Sequence, residues 1–225
     1  MQHQQSAASQ PPPDRLVEAA HYALLRRLAS PMRHDMVVHL QPIGMASELM
    51  LRRLNSAVPD LAKVHADMTR ISGFTRAAVQ ACLEVVSWIG PQDTVAVALG
   101  AGVDECVALL RSSFNFRGFT LVNECGAAPF NVARPTLRNL LPACLFALTD
   151  RAVPPAQVVL SATREGAHAV ISIALRAGEG STGLAATVSY RVLEWNEVEA
   201  LAASEGIPLE RSASEVRLTL PIAMP

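Results

Sequence analysis

His34 and Asp35 stand side by side in the run Arg33-His34-Asp35-Met36-Val37-Val38-His39-Leu40-Gln41-Pro42-Ile43. A neutral imidazole is a nucleophile near neutral pH, and an adjacent carboxylate can fix its tautomer or accept its proton. If the run is helical, at about 100° per residue, His34 falls roughly opposite the apolar stripe described below and reaches solvent. Pro31, Val37 and Val38 lie one turn away and Gln41 two turns on, so apolar side chains ring an exposed imidazole. That pattern suits a docking surface. His39, four residues after Asp35, shares its face and can pair with it. His34 and His39 diverge by about 140°, unlike the two histidines of HExxH, and no metal site is expected. Two readings of His34 stay open on spacing alone: a surface histidine with chance neighbours, or an exposed nucleophile within a docking patch. His21, His65 and His168 are isolated, and the chain has no GxSxG, no Walker loop and no dinucleotide fingerprint.

The elements that position this run follow from composition. Residues 1–13 are polar and proline-rich and are expected to form a disordered tail. From residue 14 to Gly90 the only intervening glycines are Gly44 and Gly73, and Ala, Leu, Arg, Met and Glu abound, which predicts two long helices. They break at residues 55–60, where turn residues and Pro59 cluster. The second helix carries a heptad seam at Leu61, Val64, Met68, Ile71, Thr75, Ala78, Cys82, Val85 and Ile89. The first has a matching stripe at Leu25, Ala29, Met32, Met36, Leu40, Ile43, Ser47, Met50 and Leu54. A lone hairpin cannot cover both seams, so two copies are expected to pair into a four-helix bundle, making the protein a homodimer.

Beyond Gly90 the texture changes. Residues 94–99 and 119–123 read as strands flanking a helix near 103–112, 134–150 as a helix, and 157–163 with 168–175 as a hairpin of strands. A strand at 184–192, a short helix at 194–204 and closing strands at 208–210 and 216–221 complete an α+β sandwich with helices on one sheet face. The domain division is therefore 1–13, 14–90 and 91–225. Hydrophobic residues make up 50% of the chain, charged residues 17%, and the formal net charge is -1, values that exclude a disordered chain and a general nucleic-acid binder. The longest apolar stretch, 140–148, is shorter than the roughly 18 residues of a membrane span, and no secretory signal opens the chain, so a cytoplasmic protein is expected. Cys82, Cys106, Cys125 and Cys144 lie far apart without CxxC, suggesting neither zinc nor disulfides.

The segment RHDMVVHLQPI on the first helix of a hairpin resembles the phospho-acceptor box of two-component histidine kinases, in which a histidine followed by Asp or Glu receives the phosphoryl group. His34 and Asp35 match, and His39 resembles the last position of the HDxxxQ/H variant, which assists dephosphorylation. The remainder resembles the ATP-binding domain that follows the hairpin in that family. Asn139-Leu140-Leu141-Pro142-Ala143-Cys144-Leu145-Phe146 resembles the NLLxNAxK helix, and ALAASEG followed by IPLERSASEVRLTLP resembles the last helix and final hairpin. The resemblance covers about 14–221.

The departures concern ATP. Ala143 stands where the family has the asparagine that helps hold magnesium, and Phe146 where it has the nearby lysine. The DxGxG aspartate that recognises adenine falls on Arg176 of Arg176-Ala177-Gly178-Glu179-Gly180, and SYRVLEWNEVEAL offers no second glycine-rich lid. The resemblance therefore implies no nucleotide cofactor and no autophosphorylation. Its closest counterpart is the dimeric histidine phosphotransferase: His34 carries a phosphoryl group between response-regulator receiver domains, Asp35 and His39 assist, and Val37, Val38 and Gln41 dock the partner. The alternatives are a stand-alone histidine kinase that binds ATP, and an unphosphorylated binding module. No nucleic acid and no membrane enter any of the three.

Overall fold

The structure is a computed structural model that describes residues 13–89, 95–126, 128–179 and 191–223. It has a helical N-terminal region followed by a mixed α/β domain, the expected fold class. The chain forms two compact units, residues 27–95 and residues 96–225 with 1–26.

The long helix α1 (Pro13–Leu54), which enters the helical unit at Arg27, turns through residues 55–60 into α2 (Leu61–Ile89). The turn closes on Asp60, whose carboxylate accepts from the backbone N–H groups of Ala62 and Lys63 at 3.1 and 3.2 Å. This caps the first turn of α2. Half-buried or buried positions on α2 recur at Val64, Asp67, Ile71, Phe74, Ala78, Ala81, Val85 and Trp88, a strict alternation of three and four. Four of these belong to the seam expected from sequence, as does Cys82, which is half-buried as well. The other row is displaced by one residue: Met68 and Ile89 are exposed, and Asp67, Phe74, Ala81 and Trp88 turn inward instead.

The α/β unit begins with β1 (Ala96–Ala98), which runs straight into α3 (Leu99–Phe116). The expected strand at 94–99 is thus shorter and the helix longer. Leu99 opens the helix, its N–H donating to the Phe130 carbonyl at 3.1 Å. Then come β2 (Phe119–Asn123), β3 (Asn131–Ala133), α4 (Arg134–Thr149), β4 (Ala156–Glu165), β5 (His168–Ala177), α5 (Trp195–Ser204), β6 (Leu209–Arg211) and β7 (Glu215–Pro221). The strand β3 was not legible; three residues beside a helix start are too short for alternation to register. The expected strand at 184–192 falls largely outside the described residues, and Arg191 and Val192 carry no regular structure.

β1 and β3 pair antiparallel, and the main sheet has the order β2-β4-β5-β7-β6, with β2 parallel to β4 and every other pair antiparallel. Cross-strand register places Leu160 opposite Ile173 and Ile171 opposite Leu218 on one apolar face. All four are fully buried, and Leu99, Val103, Leu110, Leu140, Leu141 and Leu145 of α3 and α4 supply the rest of the core. Full burial of each such side chain contributes roughly 1.5–3 kcal/mol. The opposite face carries Gln157, Ser161, Thr163, Ser172 and Arg217, which are exposed or half-exposed. Gly166 (φ 61°) makes the tight β4–β5 turn, and Gly100 lets α3 approach the Gly126 carbonyl, where a Cβ would stand 2.1 Å from the oxygen.

Candidate phosphoryl-acceptor face on the first helix

Two prolines bracket the His34 run inside α1, Pro31 and Pro42. Neither has an N–H, so neither can donate the ordinary helical bond to the carbonyl four residues earlier. The helix nonetheless continues through both prolines.

The imidazole of His34 is exposed, as are Arg33 and Gln41; Val37 and Val38 are 51% and 50% exposed. Asp35 and His39 are half-buried, as are Met36, Pro42 and Ile43. Adjacent residues on a helix diverge by about 100°, so Asp35 leans toward the hairpin interior while His34 faces solvent. The structure therefore separates the three: His34 lies on an outer face with Val37, Val38 and Gln41, and Asp35 and His39 share an inner one. None of them belongs to a cluster able to hold a metal among the described residues.

A polar contact ties the hairpin near its turn. The Arg53 guanidinium of α1 donates to the Asp67 carboxylate of α2 at 2.5 Å; Asp67 is 1% exposed and Arg53 34%. A carboxylate in an otherwise apolar seam is costly unless paired, so this contact specifies which α1 residue meets which α2 residue. A second apolar face remains uncovered on both helices. On α2 it comprises Leu61, Met68, Val79, Leu83 and Val86; on α1, Leu40, Leu51 and Leu54.

The residues of the α/β unit that the sequence resemblance sets against the family's nucleotide contacts lie mostly in the core or in polar pairs. Ala143 is fully buried in α4. Phe146 is 2% exposed, and its ring centroid lies 5.5 Å from that of Phe114 on α3. Asn139, at the head of the same helix, donates to the Glu205 carboxylate at 3.0 Å. Arg176 sits exposed near the end of β5, 4.0 Å from Glu124. Gly180 and the segment 181–190 lie outside the described residues. Glu105 on α3 accepts from Arg134 and Arg138 of α4 at 2.5 and 3.0 Å. Burial acts to raise its carboxyl, but the two guanidiniums outweigh burial and hold it below the usual range. The thiols are inert core groups: burial, with nearby Glu105 also raising it, pushes Cys106 up to about 12, and burial with nearby Asp104 pushes Cys125 up to about 11. Cys144 is raised by burial as well.

No protein-family profile and no curated protein matches the chain. Solved structures do. A histidine kinase from Burkholderia phymatum shares 15% identity over 87% of this chain and 97% of that one, at a TM-score of 0.43. The Acinetobacter baumannii histidine kinase AdeS shares 12% identity over 85% of this chain and 98% of its own, at 0.40. The catalytic domain of the histidine kinase ThkA shares 11% over 58% of this chain and 96% of its own, at 0.42. The chain is similar to histidine kinases. At these identities and TM-scores the likeness carries no residue role to this chain. No helix among the described residues is long and apolar enough to cross a membrane.

Proposed function

We propose that this is a histidine kinase-like protein of two-component signalling that acts as a cytoplasmic histidine phosphotransferase, carrying a phosphoryl group on His34 between receiver domains. The observation that carries the reading is the placement of His34: an exposed imidazole next to a carboxylate, ringed by the exposed Val37, Val38 and Gln41, on the side of α1 away from the hairpin seam. A lone pair on one ring nitrogen attacks the phosphorus of a receiver aspartyl phosphate. The P–N bond forms, the P–O bond breaks and its electrons leave on the receiver carboxylate, while the second ring nitrogen releases its proton to Asp35 or to water. The reverse reaction passes the group onward. His39, which resembles the last position of the HDxxxQ/H variant, assists dephosphorylation in this reading.

The active species in this reading is a homodimer, each copy covering the other's uncovered apolar helix faces in a four-helix bundle, with 14–90 as the dimerisation and acceptor domain. The 91–225 domain is a degenerate relative of the kinase ATPase domain. The buried Ala143, the Phe146 ring against Phe114, and Arg176 at the adenine position favour this over a stand-alone kinase that binds ATP. The test is transfer from a phosphorylated receiver domain. Val38→Glu, which places a carboxylate one turn from His34, should slow transfer at least tenfold by repelling the receiver's acidic pocket, and Asp35→Asn should slow it by removing the proton acceptor. Unaltered rates in both variants would contradict the assignment.

A further inference from the structure

His34 divides its face of α1 into two sides of different chemistry. Toward the hairpin turn stand Val37 and Val38, both exposed, whose side chains have no hydrogen to donate. In the other direction stand Arg33, next in the chain, and Ser30, one turn away; both are exposed. At about 100° per residue, Ser30 lies between the two, about 60° round the helix from Arg33 and about 40° from His34. Side chains of a helix lean toward its N-terminus, so the imidazole and the guanidinium both extend over the turn that presents the Ser30 hydroxyl.

Neither donor is committed. Ser30 and Arg33 make no side-chain hydrogen bond, ion pair or ring contact among the described residues. One helical turn from Arg33 in either direction stand Ala29, Ser30, Met36 and Val37, none of them a carboxylate. Asp35 lies about 160° round the helix from Arg33, on the half-buried inner face. Other arginines of α1 are held: Arg26 donates to the Tyr22 hydroxyl at 3.2 Å, and Arg53 to the Asp67 carboxylate at 2.5 Å. An exposed cation with no acid in reach thus stands beside the nucleophile, with a hydroxyl between them.

We propose that Ser30 and Arg33 form a clamp for the phosphoryl group carried on His34. This deepens the phosphotransfer reading and rests on it. Once the P–N bond has formed, a group with about two negative charges and three acceptor oxygens projects from the ring. Val37 and Val38 offer those oxygens no donor. The Arg33 guanidinium supplies charge-assisted hydrogen bonds, and the Ser30 hydroxyl supplies one more. Negative charge sits on the same oxygens while the group is in flight, so the pair speeds the attack as well as holding the product.

The experiment labels the full chain with phosphoramidate, a small phosphoryl donor that needs no receiver. One ring nitrogen attacks phosphorus, the donor's P–N bond breaks, ammonia leaves, and the other ring nitrogen gives its proton to water. Labelling at about pH 8.5, above the ordinary imidazole range, removes differences in imidazole charge between variants. The exposed His65 of α2 is the reference within the same molecule. His34 should label about tenfold faster than His65, and Arg33→Ala should bring it down to the His65 rate. Arg33→Lys should keep part of the advantage, and Ser30→Ala should lose about twofold. A parent in which His34 labels no faster than His65 would overturn the clamp, as would an Arg33→Ala protein with the parent's rate and the parent's circular dichroism. A clamp effect with phosphoramidate but no label from any phosphorylated receiver domain would sink the phosphotransfer reading and uphold the clamp. Label from a receiver, with Arg33→Ala indifferent to both donors, would do the reverse.

Discussion

The Asp67 carboxylate of α2 is buried to 1% exposure and meets the Arg53 guanidinium of α1 at 2.5 Å, the one cross-helix hydrogen bond identified near the hairpin turn among the described residues. Arg53→Ala would leave a buried carboxylate with only Arg70, 3.9 Å away, as an ionic neighbour. Breaking a buried pair costs about 3–5 kcal/mol, and the partial exposure of Arg53 puts this case at or below the lower end. Thermal or urea unfolding of the variant should show a loss of about 2–3 kcal/mol, whereas Arg53→Leu with Asp67→Leu should restore most of it. A single Arg53→Ala variant as stable as the parent would remove the pair from the account.

The same residue shows why the hairpin was only half legible. A seam at Leu61, Met68, Thr75 and Ile89 is what apolar spacing selects, because Met68 and Ile89 are apolar and Asp67 is not. The structure turns Asp67 inward, since Arg53 on the other helix satisfies it, and no spacing rule within one helix can see a partner in another. The residues shared by both rows, Val64, Ile71, Ala78 and Val85, lie between the inner seam and the uncovered face. A stripe that bisects two burial directions is what the interior of a four-helix bundle needs. In the α/β unit, β2, α4 and the β4–β5 hairpin were legible because long runs of one periodicity define them. β3 and the start of α3 were not, since Leu99 continues the apolar texture of β1 without a cap or a break. At the site, His34, Val37 and Val38 stand out by residue type, while the division of His34 from Asp35 and His39 between an outer and an inner face is visible only once the two helices are packed.

Pairing of two copies should be visible directly. Val79, Leu83 and Val86 are more than half exposed, and covering them would contribute roughly 1 kcal/mol each. Light scattering at micromolar concentration should give the mass of a dimer. Leu83→Asp, on the uncovered face, should give a folded monomer, and Ile71→Asp, half-buried in the inner seam, should unfold the hairpin. A parent that scatters as a monomer would refute the bundle.

Restoring the polar positions of a kinase should not restore a kinase. Phe146→Lys would place an ammonium where a ring now packs at 5.5 Å from Phe114, and it should cost about 3–5 kcal/mol of stability, as large core truncations do. Calorimetry with ATP and magnesium should detect no binding by the parent tighter than about 1 mM. A tighter complex would move the stand-alone kinase to first place.

Glu105 should make the α/β unit sensitive to acid. Its carboxyl lies below the usual range in the folded state because Arg134 and Arg138 outweigh the effect of burial. The stabilisation is therefore fully present above the unfolded carboxyl value, about 4.3, and is lost as pH falls through the lower folded value. Glu105→Gln should be less stable than the parent at pH 7, and the gap should close toward pH 3. A gap that stayed constant across that range would show that Glu105 contributes by packing and not by charge.

The measurement that bears most directly on the whole account is phosphate mapping after incubation with a phosphorylated receiver domain. The account predicts an acid-labile, base-stable phosphate on the ring of His34, with no label on His21, His39, His65 or His168. His34→Gln should then lose the label entirely while keeping its circular dichroism and its dimer mass. A His34→Gln protein that labels as strongly as the parent would contradict the account at its centre.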